Sequence, residues 1–116
     1  MDIDRVQKRL REFTAERDWD QFHSPKNLAM ALTSEAGELA EVFQWMTEQQ
    51  SRNLSHSDTE LALAREEIAD VMIYVLRLAD VLHIDLEEAI DAKIAINEAK
   101  YPADTSRGKA TKYNRR

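Results

Sequence analysis

The chain has 116 residues, 43% hydrophobic and 33% charged, with two Gly, two Pro and no Cys. That is one domain's worth of sequence, long enough for a real core. So few turn formers exclude a turn-rich β protein, and the lack of Cys excludes disulfides and thiolate metal sites and fits a reducing cytoplasm. The net charge of −6 argues against nonspecific binding to nucleic acid or a membrane surface. Nothing resembles a transmembrane run, and Met1-Asp2-Ile3-Asp4 does not begin a signal peptide.

The first helix is expected from Asp2 or Asp4 to about Arg17, with Ile3, Val6, Leu10 and Phe13 on its buried face. Asp18 to His23 form a connector carrying Trp19, Phe22 and His23. Ser24-Pro25 then starts a second helix, Ser as N-cap and Pro at the first helical position. This helix is predicted to reach about Glu48, with Leu28, Leu32, Ala36, Leu39, Phe43 and Met46 as its apolar stripe. At 100° per residue Glu35 falls inside that stripe, Glu38 lies on its edge, and Glu41 turns away. Gln50 to Ser57 is polar and predicted to be loop.

Ser57 or Asp58 is placed to cap a third helix running to about Leu82. Its expected buried face is Ile68, Val71, Met72, Val75, Leu78, Ala79 and Leu82, while Glu67, Asp70 and Tyr74 share the adjacent face. His83-Ile84 breaks it. Asp85-Leu86-Glu87-Glu88 is an acidic variant of a capping box, opening a fourth helix that runs from Leu86 to about Lys100. Leu86, Ala89, Ile90 and Ile94 line one side of it, and Lys93 and Asn97 point nearly the same way. Tyr101-Pro102 ends it. The remainder, from Ala103, shows no periodicity; its last ten residues hold five Lys/Arg and no acid, against 11 Lys/Arg and 22 Asp/Glu in residues 1–106. Four such helices make an all-α bundle the default, and stripes this wide leave surface to bury in an oligomer.

The chemistry concentrates in two carboxylate pairs, Glu35-x-x-Glu38 and Glu67-x-x-Asp70. Residues three apart are neighbours on a helix surface, so each pair aims at one point. A Glu within an apolar stripe must be paired or bound to a cation. Four converging carboxylates cannot all stay ionised near neutral pH without counter-charge. Oxygen-only ligands select Mg2+, Mn2+ or Ca2+ over zinc. The plain alternative is a solvated face of Glu-rich helices. A di-iron carboxylate bundle is disfavoured because Glu38 and Asp70 stand where that class needs His.

Lys93 and Asn97, at core-facing positions one turn apart, either line a polar pocket beside the metal or, for Lys93, snorkel to the surface. Trp19, Phe22, His23 and Trp45 could stack on a nucleobase or pack in the core. Tyr74, one turn past Asp70, would hold its hydroxyl beside the carboxylates. The tail cations Arg107, Lys109, Lys112, Arg115 and Arg116, with Tyr113, are either a disordered basic end or a clamp on substrate phosphates.

The pattern Glu35-x-x-Glu38 … Glu67-x-x-Asp70 resembles the all-α nucleoside triphosphate pyrophosphohydrolases of the MazG type. The blocks Glu16-Arg17-Asp18-Trp19, Gln21-Phe22-His23, Pro25-Lys26-Asn27-Leu28, Phe43-Gln44-Trp45, Asp70-Val71-x-Ile73-Tyr74 and Lys100-Tyr101-Pro102 are closest to the dCTP pyrophosphatase subgroup. The resemblance implies a MazG-like catalytic domain over residues 1–102 with a basic tail over 103–116, and a bundle that pairs into homodimers or homotetramers. It implies hydrolysis of a nucleoside triphosphate, dCTP or a modified dCTP among them, to the monophosphate and pyrophosphate. Glu35, Glu38, Glu67 and Asp70 match Mg2+ ligands, with Mn2+ as a substitute. Trp19, His23, Trp45 and Tyr74 fall in the base and sugar pocket; Lys93 and Asn97 match substrate contacts, and the cation Lys112 sits in a matching Lys-Tyr ending. Glu38 is the residue expected nearest the attacking water, with Glu41 supporting it. Leu10 departs from the vertebrate pattern, which has His there beside the base pocket. The shorter ends relative to the vertebrate proteins suit a bacterial or archaeal housecleaning form. The rival expectation is a nucleotide- or partner-binding bundle without turnover.

Overall fold

The computed structural model describes residues 1–55 and 58–112, and these residues form helices and no strand. They divide into two compact units, Met1–His83 and Ile84–Arg116. The first contains α1 (Ile3–Glu16), a single 3₁₀ turn (Asp20–Phe22), α2 (Pro25–Phe43), α3 (Glu48–Arg52) and α4 (Thr59–Val81). The second contains α5 (Leu86–Lys100) and α6 (Ala103–Ser106).

The ends of these helices follow from their caps. Asp2 accepts the Arg5 N–H, Ser24 the Asn27 N–H ahead of Pro25, and Asp85 the Glu88 N–H, so each satisfies a donor that the first helical turn leaves open. At the other ends, Asp18 (φ 54°) and His83 (φ 56°) enter the left-handed region just past α1 and α4, which turns the chain out of the helix. Asp58 occupies the N-cap position of α4, but its carboxylate accepts from Ser55 N–H at 2.7 Å and makes no cap bond. The rival cap Ser57 lies outside the described residues.

Two boundaries differ from expectation. The second helix stops at Phe43 instead of reaching Glu48, because Thr47 is extended (ψ 161°) and starts a new helix there. Its side chain accepts the Gln50 N–H while the Gln50 side chain accepts the Thr47 N–H, a complete capping box that turns part of the expected loop into α3. The stretch after Pro102, expected to be irregular, forms the single turn of α6.

Within the first unit α4 is the central element, with α2 and α1 packed on it. Leu28 from α2 and Ala64, Leu76 and Ala79 from α4 are the buried apolar residues. Gln7 ties α1 to α4 by donating from Nε2 to the Leu76 carbonyl at 3.0 Å, and Arg11 grips Asp80 with two hydrogen bonds at 2.8 and 2.9 Å. The stripes are less covered than their periodicity suggests. Phe13, Ala36, Ile68 and Leu82 are exposed in the single chain, and α5 buries none of its residues, so Ile90, Ile94, Lys93 and Asn97 stay accessible instead of facing a core. Helical period identifies an apolar face; it does not say which surface covers it.

Candidate functional site

The packing of α2 on α4 brings the two carboxylate pairs together. Oxygens of Glu35, Glu38 and Glu67 lie within 4.8 Å of one another. Glu35 and Glu67 are half-buried, and Glu38 is exposed. The Oε2 atoms of Glu35 and Glu67 are fully buried and no donor reaches either of them. A buried carboxylate oxygen without a donor is costly. Two such atoms in one cluster of oxygen-only ligands fit a hard divalent cation, which supplies the missing partner and the missing charge together.

The protonation of the cluster carries the same stress. Glu35 is pushed up to about 7, first by burial, then by a hydrogen bond to Glu38 open only to its protonated form, and by the negative charges of Glu38, Asp70 and Glu67. Glu67 is raised as well, by burial and then by the charge of Glu38. Asp70 stands close enough to act on both, one turn beyond Glu67.

Glu35 and Asp70 also line a pocket of about 560 Å³. Val6, Leu10 and Phe13 of α1 make an apolar wall, with Arg9 and Thr14 beside it; Ile73, Tyr74 and Arg77 extend the α4 side beyond Asp70. Trp19 and His23 come from the connector between α1 and α2. Asp70, Ile73, Tyr74 and Arg77 share a lining because offsets of three, four and seven return to one helix face. The pocket therefore combines carboxylates with an aromatic and apolar lining.

The connector is held firmly. The Trp19 N–H donates to the Thr14 carbonyl at 2.9 Å, and the Gln21 side chain donates to Asp18 at 2.9 Å. Asn27 reaches back from α2 to the Phe22 carbonyl at 3.0 Å. Trp19 meets Phe13 edge-on, ring centres 5.6 Å apart, and sits 6.5 Å from the tilted His23 ring. Arg17 covers the Phe13 ring at 3.8 Å. These contacts set the Trp19 ring against Phe13 at the pocket wall.

Of the residues singled out in the sequence, the structure gathers Trp19, His23, Glu35, Asp70 and Tyr74 in this pocket, and Glu38 and Glu67 in the adjoining cluster. Glu41 is exposed and outside the cluster. Trp45 is 88% exposed and does not line the pocket. Lys93, Asn97 and Lys112 are exposed residues of the second unit. Of the tail candidates, Tyr113, Arg115 and Arg116 lie outside the described residues. The residue that sequence reasoning passed over is Arg77, 7% exposed and yet part of the pocket lining. Its signal was there: a charge in the apolar run Val75-Leu76-Arg77-Leu78, one turn past Tyr74.

A fold of packed helices with paired carboxylates beside an aromatic pocket agrees with the comparison to known proteins: residues 30–115 match the MazG-like family, and the chain belongs to it. It is 47% identical over 102 residues to dCTP pyrophosphatase 1 of Mus musculus and, equally, to that of Homo sapiens. Each alignment covers 88% of this chain and 60% of the relative, so the chain spans somewhat over half the length of those proteins. The crystal structure of a pyrophosphatase from Archaeoglobus fulgidus DSM 4304 superimposes with a TM-score of 0.70 at 39% identity, covering 88% of this chain and 94% of that one. Among the described residues no helix is long and apolar enough to cross a membrane.

Proposed function

We propose that this chain is a Mg2+-dependent nucleoside triphosphate pyrophosphohydrolase that acts on dCTP, a modified dCTP or a related deoxynucleotide and keeps the cytoplasmic nucleotide pool clean. The observation that carries the reading is the pair of buried, donor-less oxygens of Glu35 and Glu67 in a carboxylate cluster that shares Glu35 with a pocket lined by aromatic and apolar side chains. Such a pocket suits a molecule with a multiply charged, metal-binding end and a flat, weakly polar end. A nucleoside triphosphate is such a molecule, and the mouse and human relatives are named dCTP pyrophosphatase 1.

Glu35, Glu38, Glu67 and Asp70 hold the cation, with Mn2+ as a substitute for Mg2+. When bound, the cation neutralises phosphate charge and polarises the α-phosphoryl group. Trp19 offers its face to the base and His23 its edge, while the Tyr74 hydroxyl lies one turn beyond Asp70, within reach of the sugar. Glu38, exposed at the cluster, orients the water that attacks the α phosphorus in line; the α–β bridging oxygen leaves with pyrophosphate. Glu41 orients a second water or a ligand carboxylate. Lys93, Asn97 and Lys112 are substrate contacts, Lys93 to a phosphate and Asn97 to a sugar or a phosphate, in a chain read as a catalytic domain of residues 1–102 followed by a basic tail.

The active form is a homodimer or homotetramer. Trp45, Phe22, Met30 and Ile68 are all more than half exposed in the single chain, and apolar side chains of that size want cover. The experiment is pyrophosphate release from a panel of dNTPs with Mg2+ and with EDTA. Mg2+-dependent release of pyrophosphate without single phosphates is expected; no release from any nucleotide would return the chain to a binding role.

A further inference from the structure

Arg77 is a buried charge with every edge of its guanidinium engaged. Its Nε–H donates to His23 Nδ1 at 3.4 Å, one terminal nitrogen donates to Asp20 at 3.2 Å, and the other lies 3.6 Å from Asp80. An arginine carries no acceptor and does not lose its proton in a protein. The ring nitrogen it faces must therefore be the unprotonated one. A flipped ring would set a C–H against the Nε–H and lose the bond.

We propose that Arg77 is a positioning residue that locks His23 as the Nε2–H tautomer, so that the pocket addresses a hydrogen-bond acceptor on the nucleobase, a ring carbonyl or an unprotonated ring nitrogen, and not an amino group. With Nδ1 committed to Arg77, Nε2–H is the only hydrogen-bonding group left on the ring, and His23 lines the pocket. The opposite tautomer would offer a bare Nε2 and invite a donor instead. The neutral state this needs is the favoured one, because burial and then the Arg77 charge lower His23 from its ordinary value against a smaller opposing effect of Asp20. Asp20 and Asp80 hold the guanidinium from its other edges, so its orientation does not depend on the histidine. Because Arg77 reaches His23 from α4 and Asn27 holds the Phe22 carbonyl from α2, the base end is referenced to the same two helices as the carboxylates.

The base-reading part rests on the pyrophosphohydrolase reading; the tautomer does not, and the tests are separable. Nitrogen-resolved NMR of the histidine ring, assigned with His23→Phe, is expected to show Nε2 protonated and Nδ1 bare in the unmodified protein at neutral pH. This spectrum needs no other variant, so it decides the tautomer even if changes at Arg77 unfold the chain. Arg77→Lys keeps a cation for Asp20 and Asp80 but gives up the planar Nε–H. It is expected to yield mixed tautomers, and to raise KM for the preferred dNTP roughly three- to tenfold, the scale of one hydrogen bond, with a smaller effect on kcat. Discrimination against the other dNTPs falls alongside. In a His23→Phe background the same substitution adds nothing further to KM, since a residue acting through another loses its effect with it. An Nδ1–H or doubly protonated ring, an unchanged tautomer in Arg77→Lys, or additive effects of the two substitutions would overturn the proposal. Failure of the enzymatic reading shows instead as no pyrophosphate release from any nucleotide, with the ring spectrum still decisive.

Discussion

Mg2+ should displace a proton from this protein, and the amount should fall in a defined way as pH rises. The perturbation is addition of Mg2+ to the metal-free protein, alone and in Glu35→Gln. Glu35 is pushed up to about 7, so near neutral pH a substantial share of the clusters holds a proton, a larger share at pH 6 and a smaller one at pH 8. A cation binds the ionised form, so binding releases a fraction of a proton per site that falls from pH 6 to pH 8, with Glu35 and the raised Glu67 contributing in the same sense. The titration belongs to the cluster as a unit. Calorimetric titration with MgCl2 in two buffers of different ionisation enthalpy gives the number directly. Glu35→Gln should abolish most of the release and weaken Mg2+ binding. The metal-free fold should respond oppositely. A carboxyl raised from 4.5 to about 7 contributes stability that is fully present below about 4.5 and lost as pH rises through 7, because the folded state binds more protons in that window. Glu35→Gln removes that loss, so the variant's thermal midpoint should depend less on pH. Mg2+ binding with no proton released at pH 7, or tight binding by the variant, would refute the assignment of Glu35 as a buried ligand.

Other outcomes follow from the same geometry. Glu38→Gln should eliminate pyrophosphate release while leaving the helical circular dichroism and thermal midpoint close to those of the parent, since Glu38 is exposed. Trp19→Ala should raise KM more than it lowers kcat, by about 1–3 kcal/mol of lost stacking if the base lies on this ring, read from steady-state kinetics. Leu76→Ala, at a site 2% exposed, should cost about 2–5 kcal/mol in urea unfolding. Gln7→Ala should cost about 1–3 kcal/mol in the same assay, because the buried Leu76 carbonyl loses its second donor.

The helix starts were legible because each is written within four residues: Ser24-Pro25 and Asp85 act locally, and the caps formed where their chemistry puts them. Glu35 was legible for a related reason, since a 100° step places it in the stripe whatever lies opposite. Thr47 was readable in principle, as Thr-Glu-Gln-Gln spells a capping box, but the apolar Phe43 and Met46 on either side of the break suggest a continuous helix. The exposure of Ile68 and Leu82 was not legible, because period fixes a direction and says nothing of how far the neighbouring helices extend. Arg77 lay furthest from view. Its partners His23 and Asp20 are more than 50 residues away, and only the packing of the connector against α4 brings them to it.

From Glu67 to Arg77 the α4 helix advances ten residues, about 15 Å at 1.5 Å per residue. Within that length it presents the Glu67 carboxylate, Asp70, Tyr74 and the arginine behind His23, all in one pocket or its adjoining cluster. The helix is a ruler graduated in chemistry. Inserting or deleting one residue between Asp70 and Tyr74 would rotate one half of the scale by about 100° against the other and part the carboxylates from Tyr74 and Arg77. The length of α4 between Glu67 and Arg77 is therefore as much a part of the site as the side chains it carries. The wall formed by Val6, Leu10 and Phe13 carries no carboxylate of the cluster. A substitution there, on α1, reshapes the pocket and leaves the graduations where they are.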